Sequence, residues 1–221
     1  MVDPAGAILA ILTRAPSSGG KTRLFQTLNM RPDSELLRCL LLDTLDGTAL
    51  PGLRRVIAVT PGRACDEVRQ MVGAIDAIVM PQADGDLGAR MQATMATMFQ
   101  GGATAVALIG SDVPHIAPAT IAEAFDVLGR DREALVLGPA TDGGYYLIGA
   151  RRVPPVFTGV EWGSGLVLAR TVEAAAAAGF RVHELLPLSD VDTADDLRRA
   201  ISTGRATRSA EWARRHLDSK Q

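Results

Sequence analysis

The sequence predicts an α/β fold: a three-layer α/β/α sandwich around a mostly parallel, mixed sheet. Three observations lead there. Short continuous apolar runs alternate along the chain with longer segments of helical spacing, the pattern of strands buried on both faces between helices. Two of those runs, Ala134–Pro139 and Tyr145–Ala150, are joined only by "ATDGG", too short for a parallel crossover, so part of the sheet is antiparallel. The stretches that carry chemistry follow strands, where ligands collect in open α/β sheets.

The elements follow in order. "AILAILT" (7–13) is a buried strand. "SELLRCLLLDTLDG" (34–47) carries leucines at helical spacing behind a Ser34 cap. "RRVIAVT" (54–60) is a second strand, stopped by Pro61 and Gly62, and "ACDEVRQMV" suits a helix. "DAIVMP" is a third strand. "DLGARMQATMATMFQGG" (86–102) is a helix with a Gly-Gly stop, its Met91, Met95 and Met98 forming a core stripe. "TAVALIG" (104–110) is the fourth strand, "APATIAEAFDVLG" a helix, and 134–139 and 145–150 a strand pair. "SGLVLARTVEAAAAAG" is a helix, "FRVHELL" a strand, and "TADDLRRAIS" and "SAEWARRHL" are closing helices. No linker divides the chain, so 1–221 reads as a single domain with 206–221 as a C-terminal helical extension. That extension suits a surface helix or a homodimer contact.

Bulk properties exclude several classes. The 221 residues are 47% hydrophobic and 22% charged, with a formal net charge of −2. That balance argues against a broad nucleic-acid or membrane footprint, so any basic site must be local. Cys39 and Cys65 have no metal or redox spacing, and Cys39 reads as a small core hydrophobe. With no leader and no membrane-length apolar run, the chain is expected to be soluble and cytoplasmic.

The first loop, "RAPSSGGKTRL" (14–24), approaches a phosphate-binding P-loop. Gly20, Lys21 and Thr22 fit the G-K-T ending, but Ala15 stands where the first glycine belongs. Pro16 offers no N–H to phosphate, and "TRLFQTLNMRP" reaches a proline before a long helix can form. An NTPase with Asp112 as its strand-end aspartate is the minor alternative. The simpler reading is a pyrophosphate grip. Gly19 and Gly20 allow close backbone approach, and Arg14, Lys21 and Arg23 supply cations.

Carboxylates end other strands. "LIGSDVPHI" delivers Asp112, a candidate ligand for Mg²⁺ or Mn²⁺ facing the basic loop. Asp142-Gly143-Gly144 suits either a hairpin turn or a pocket rim. In "LSDVDTADDL", Thr193 and Asp196 read as a helix cap, which leaves Asp190 unexplained. In "QADGDLGARM", Asp86, Gly88 and Arg90 suit a helix start or a ribose or base contact. Trp162 suits stacking on a ring or ordinary packing.

Taken in order, "RAPSSGGKTRL", "QADGDLGARM", "LIGSDVP", "LGPATDGGYYLIG", "FTGVEWGSGLVLART" and "SDVDTADDL" resemble the DUF2064 family from about Ile8 to Leu197. Its members are glycosyltransferase-like proteins of the GT-A, nucleotide-diphospho-sugar transferase superfamily. That superfamily also holds nucleotidyltransferases such as the molybdenum-cofactor and 2-phospholactate guanylyltransferases. The resemblance implies a nucleotide over the first strands. Arg14, Gly19, Gly20, Lys21 and Arg23 would hold phosphates, and Asp86, Gly88 and Arg90 would lie near base or ribose. Asp112 would be the metal-site aspartate, with Asp190 a second carboxylate. Asp142, Gly143, Gly144, Tyr145 and Trp162 would line the sugar or acceptor pocket, and Lys21, Asp112 and Asp142 would serve catalysis. The family's D-x-D pair is absent, since Ser111 precedes a lone Asp112. The expected activity is metal-assisted glycosyl transfer from a nucleotide-activated donor to a small acceptor. Nucleotidyl transfer with pyrophosphate release, or nucleotide binding without catalysis, are the alternatives.

Overall fold

A computed structural model describes residues 6–217. Seven strands form one sheet in the order β3-β2-β1-β4-β6-β5-β7. They are β1 (Ala7–Arg14), β2 (Arg54–Thr60), β3 (Ile78–Pro81), β4 (Ala105–Gly110), β5 (Ala134–Pro139), β6 (Tyr145–Ala150) and β7 (Arg181–Glu184). Only β6 runs against its neighbours, pairing antiparallel with both β4 and β5; the other pairings are parallel. The short link from β5 to β6 forces that reversal.

The helices are α1 (Thr22–Thr27), α2 (Ser34–Gly47), α3 (Cys65–Val72), α4 (Leu87–Gln100), α5 (Pro118–Arg130), α6 (Val167–Ala177), α7 (Ala194–Ser202) and α8 (Thr207–His216). Alternate strand residues serve opposite layers. Leu9, Ile11, Ile57, Val59, Ala107 and Ile109 pack with α2, α3 and α5. Ile8, Ala10, Val56, Val106, Leu108 and Ile148 pack with Met91, Met95 and Met98 of α4 and with Ala175 of α6. This is the expected three-layer sandwich. A third cluster joins α1, α2, α7 and α8 through Leu24, Phe25, Leu36, Leu197 and Trp212.

Element ends differ from expectation where local hydrogen bonds decide them. Asp33, not Ser34, caps α2, its Oδ1 accepting from Glu35 N at 2.7 Å. The helix expected from Ser164 begins at Val167, after a turn between Gly163 and Gly165. The strand expected to run to Leu186 stops at Glu184, and Leu186 is exposed. α8 is packed onto its own chain: Trp212 is fully buried, and buried Asp43 of α2 accepts from the N–H groups of Arg208 and Ser209. Residues 218–221 of the expected extension lie outside the described residues.

The topology places the site. β1 and β4 are neighbours, and the chain leaves β1 toward β2 on one side of the sheet and leaves β4 toward β5 on the other. The connections diverge at that switch and open a crevice beyond the carboxyl ends of β1 and β4.

Candidate active site

The loop leaving β1 makes one 3-10 turn at Pro16–Ser18 and then three successive residues of positive φ: Gly19 at 68°, Gly20 at 134° and Lys21 at 52°. A Cβ at Gly19 would meet nothing within 4 Å, so its glycine answers to backbone conformation rather than crowding. Lys21 has no such freedom and is held in the left-handed region as the N-cap of α1. A helix opens at the Lys-Thr pair but, as expected, not a long one. It lasts only from Thr22 to Thr27, and the proline at 16 stands as read. The loop is braced by Glu67 of α3, which accepts from Ser17 N at 3.0 Å and from the Ser17 hydroxyl.

β4 carries the chain to Ser111 and Asp112. The buried Thr44 hydroxyl of α2 donates to the Ser111 carbonyl at 3.0 Å, and Val191 N donates to the Asp112 carbonyl at 2.9 Å. The first bond ties α2 to the end of β4, and the second brings the segment after β7 alongside it. The result is a charge cluster. Lys21 Nζ lies 2.8 Å from Asp112 Oδ2 and 2.6 Å from Asp192 Oδ1. Burial pulls the Lys21 pKa down, but the charges and hydrogen bonds of Asp112 and Asp192 outweigh it, and the ammonium is held charged. Asp190 is pushed up to about 7 by burial, then by the negative charge of Asp112, with Lys21 opposing and Asp142 and Asp192 adding.

Asp192 escaped the sequence reading. The Thr193–Asp196 capping box forms as expected and explained that segment without it. The available signal was the alternation of Asp190 and Asp192 after a strand, which sets two carboxylates at one sheet end.

A cavity of about 420 Å³ lies over these groups. Arg14, Gly19, Gly20, Lys21, Asp112, Asp142, Gly144, Tyr145, Trp162 and Asp190 line it, so the structure brings ten of the sequence-chosen residues to one place. Its walls are apolar at Leu12, Leu87, Met91, Leu108, Ile148 and Val167. Asp142 also makes the turn of the β5–β6 hairpin, its Oδ1 accepting from Gly144 N at 3.0 Å. Tyr145 meets Trp162 edge-on, with ring centroids 6.4 Å apart.

The remaining choices fall elsewhere. Arg23 is exposed on α1 and lines no part of the cavity. Asp86 is the N-cap of α4, its carboxylate taken by Ala89 N at 2.8 Å. Gly88 is buried under Trp162: a Cβ there would lie 2.7 Å from indole atoms and 2.4 Å from the Phe157 carbonyl oxygen. Gly143, at φ 89°, packs against the Gly165 backbone rather than the cavity. Arg90 donates to the Gly85 carbonyl and lines a second hollow.

The donors present suit a hard divalent cation. Asp112 and Asp190 offer carboxylate oxygens, and the charge of Asp112, which adds to burial in pushing Asp190 up, is charge that such an ion would relieve. Among the described residues, the one group of three possible ligands within 4.8 Å of each other is Asp33, Glu35 and His216, away from the cavity lining. Their atoms are engaged otherwise: Trp212 Nε1 donates to Asp33, Arg215 pairs with Glu35, and His216 Nδ1 contacts the Trp212 carbonyl. No helix in the described residues is long and apolar enough to cross a membrane.

Comparison with known proteins adds to this geometry. A Desulfovibrio desulfuricans G20 protein, provisionally described as a nucleotide-diphospho-sugar transferase, superposes with a TM-score of 0.79 at 29% identity, over 96% of this chain and 98% of that one. CMP:2-keto-3-deoxy-manno-octonic acid synthetase complexed with CTP is 15% identical, with a TM-score of 0.54 over 93% and 99% of the two chains. The 4-diphosphocytidyl-2C-methyl-D-erythritol synthase of Anaerococcus prevotii DSM 20548 is 8% identical, with a TM-score of 0.56 over 90% and 96%. At those identities the last two share the fold. No curated protein matches the sequence. The model of the family described as "Uncharacterized protein conserved in bacteria (DUF2064)" matches residues 44–164, more than half of the chain and the part that carries both Asp112 and the β5–β6 hairpin, and the chain belongs to that family.

Proposed function

We propose that this chain is a nucleotide-dependent transferase that moves a sugar from a nucleotide-diphospho-sugar to a small acceptor, assisted by Mg²⁺ or Mn²⁺. The observation that carries the reading is Lys21, paired with Asp112 and Asp192, lining with Asp112 one cavity bordered by Gly19 and Gly20. A diphosphate needs positive charge and close backbone approach, and both converge there. The likeness to the Desulfovibrio protein supports the same reading.

In the proposed reaction an acceptor oxygen bonds to the anomeric carbon as the bond from that carbon to the β-phosphate oxygen breaks. The electron pair leaves with the nucleoside diphosphate, and the acceptor's proton passes to a carboxylate, for which Asp142 at the cavity rim is the candidate. Lys21 turns from its carboxylates to the diphosphate, with Arg14 beside it, and stabilises the charge that builds there. Asp112 and Asp190 would hold the cation, which when bound supplies further positive charge to the phosphate oxygens. With donor bound, the apolar walls leave little room for water that would compete as acceptor.

The test is a thermal titration of the whole chain with nucleoside diphosphates, diphospho-sugars and triphosphates, with and without Mn²⁺. A ligand at about 100 times its Kd adds about 2.7 kcal/mol to folding stability, which raises Tm by several degrees. Metal-dependent stabilisation by diphosphates and diphospho-sugars is expected, and Asp112→Asn should remove the metal's contribution. Preference for a triphosphate, with pyrophosphate released on turnover, would instead make the protein a nucleotidyltransferase. Binding without turnover of either kind would leave a nucleotide-binding module.

A further inference from the structure

Beside the first loop lies a second hollow, lined by Arg14, Ser17, Ser18, Arg63, Glu67 and Arg90 with Thr60, Pro61 and Ala64. Its three arginines come from three places in the fold: the end of β1, the turn after β2, and the first turn of α4. Arg14 borders both this hollow and the main cavity. Among the described residues no carboxylate lies within ion-pair distance of Arg14, Arg63 or Arg90, although other arginines of the chain are paired. The one acid in the lining, Glu67, already has both oxygens on Ser17. The hollow therefore carries an excess of two positive charges in a protein whose net charge is −2.

We propose that this hollow binds a phosphoryl group, separately from the diphosphate grip at Lys21. Guanidinium groups converging from several directions suit a tetrahedral dianion, which can accept two bonds from each. Arg90 is oriented by its bond to the Gly85 carbonyl at 2.9 Å, so part of the ordering is done before a ligand arrives. Glu67 keeps its negative charge inside the hollow and limits affinity for an anion while bracing the loop. The group could belong to the end of a nucleoside triphosphate reaching past Arg14, or to a separate phosphorylated substrate or free phosphate. The site itself does not depend on the transferase reading; only the choice between those sources does.

The test uses the whole chain, calorimetry at low salt, and inorganic phosphate as the first probe. Arg63 is exposed and takes no part in the main cavity, so Arg63→Gln leaves the fold and the Lys21 grip in place. Loss of a charge-assisted contact should weaken phosphate binding about tenfold. Glu67→Gln keeps an acceptor for Ser17, removes the negative charge, and should strengthen it several-fold. These opposite effects belong to a built anion site. Phosphate affinity unchanged in both variants overturns the proposal. Parallel titrations identify the source: if Arg63→Gln weakens a triphosphate but not the matching diphosphate, the group is the terminal phosphate. If it weakens phosphate alone and neither nucleotide, the ligand is a separate one. Asp112→Asn should leave phosphate binding at the hollow intact, so failure of nucleotide binding with Arg63-dependent phosphate binding would sink the transferase reading and leave this site standing.

Discussion

Asp190 sits where burial and the charges of Asp112, Asp142 and Asp192 push its carboxyl up to about 7, from an ordinary value of 3.8. A carboxyl raised in this way holds its proton more tightly in the folded chain than in the unfolded one. Its effect on stability is then absent below about pH 4, grows as a penalty while pH rises toward 7, and levels off above. In chelator, with no cation to relieve the charge, Asp190→Asn should match the parent protein near pH 4. At pH 8 it should be more stable by about 1–2 kcal/mol, since water in the open cavity screens part of the repulsion. Urea melts at the two pH values check this, and an asparagine variant no more stable at pH 8 refutes it. Lys21 has the opposite weight. Lys21→Met leaves Asp112 and Asp192 without their cation and should cost about 3 kcal/mol, with diphosphate binding lost in the same titration. Lys21 and Asp112 were legible in the sequence because each follows a fully apolar strand. Asp192 was not, because a helix cap next door accounted for its surroundings, and pairing across 171 positions leaves no local trace.

At the scale of elements, the strands and most helices were legible because their burial is two-sided or striped, and apolar spacing records that directly. What spacing could not separate was a residue that ends an element from one that touches a ligand. Asp86 illustrates the ambiguity: its carboxylate caps α4 through Ala89 N and does not line the cavity. Asp86→Ala should therefore cost about 1 kcal/mol of stability and leave nucleotide affinity unchanged. A large loss of affinity at unchanged stability would return it to the ligand. Gly88 tests the neighbouring contact. A methyl group there would press on the Phe157 carbonyl and the Trp162 ring, so Gly88→Ala should destabilise by about 1–3 kcal/mol. Because Trp162 lines the cavity, ligand affinity should fall with it, through a residue that makes no ligand contact itself.

For the whole molecule, the mixed, mostly parallel sheet and a site at its strand ends follow from the alternation of strands and helices, but the strand order and the role of the C-terminus do not. The charged C-terminal segment suits a surface helix or a homodimer contact, and only the assembled fold reveals what its Trp212 is for. That ring is fully buried among Leu36, Leu40 and Leu197, its Nε1 donates to Asp33 at 2.8 Å, and it stacks on His216 with centroids 4.7 Å apart. At the other end of α8, the buried Asp43 carboxylate accepts from Ser209 N at 2.9 Å and from its hydroxyl at 2.7 Å. Both anchors lie on α2, and α2 also carries Thr44, whose hydroxyl holds the Ser111 carbonyl beside Asp112. The closing helix is thus joined to the candidate active site through one intervening element. Trp212→Ala should cost about 3–5 kcal/mol, as expected for emptying a large buried site. The unfolding curve in urea should stay a single transition, and diphosphate affinity should fall because α2 no longer fixes the end of β4. If instead α8 melts alone in an early step while nucleotide binding persists, the segment from 206 onward is a separable appendage and the coupling through α2 does not exist.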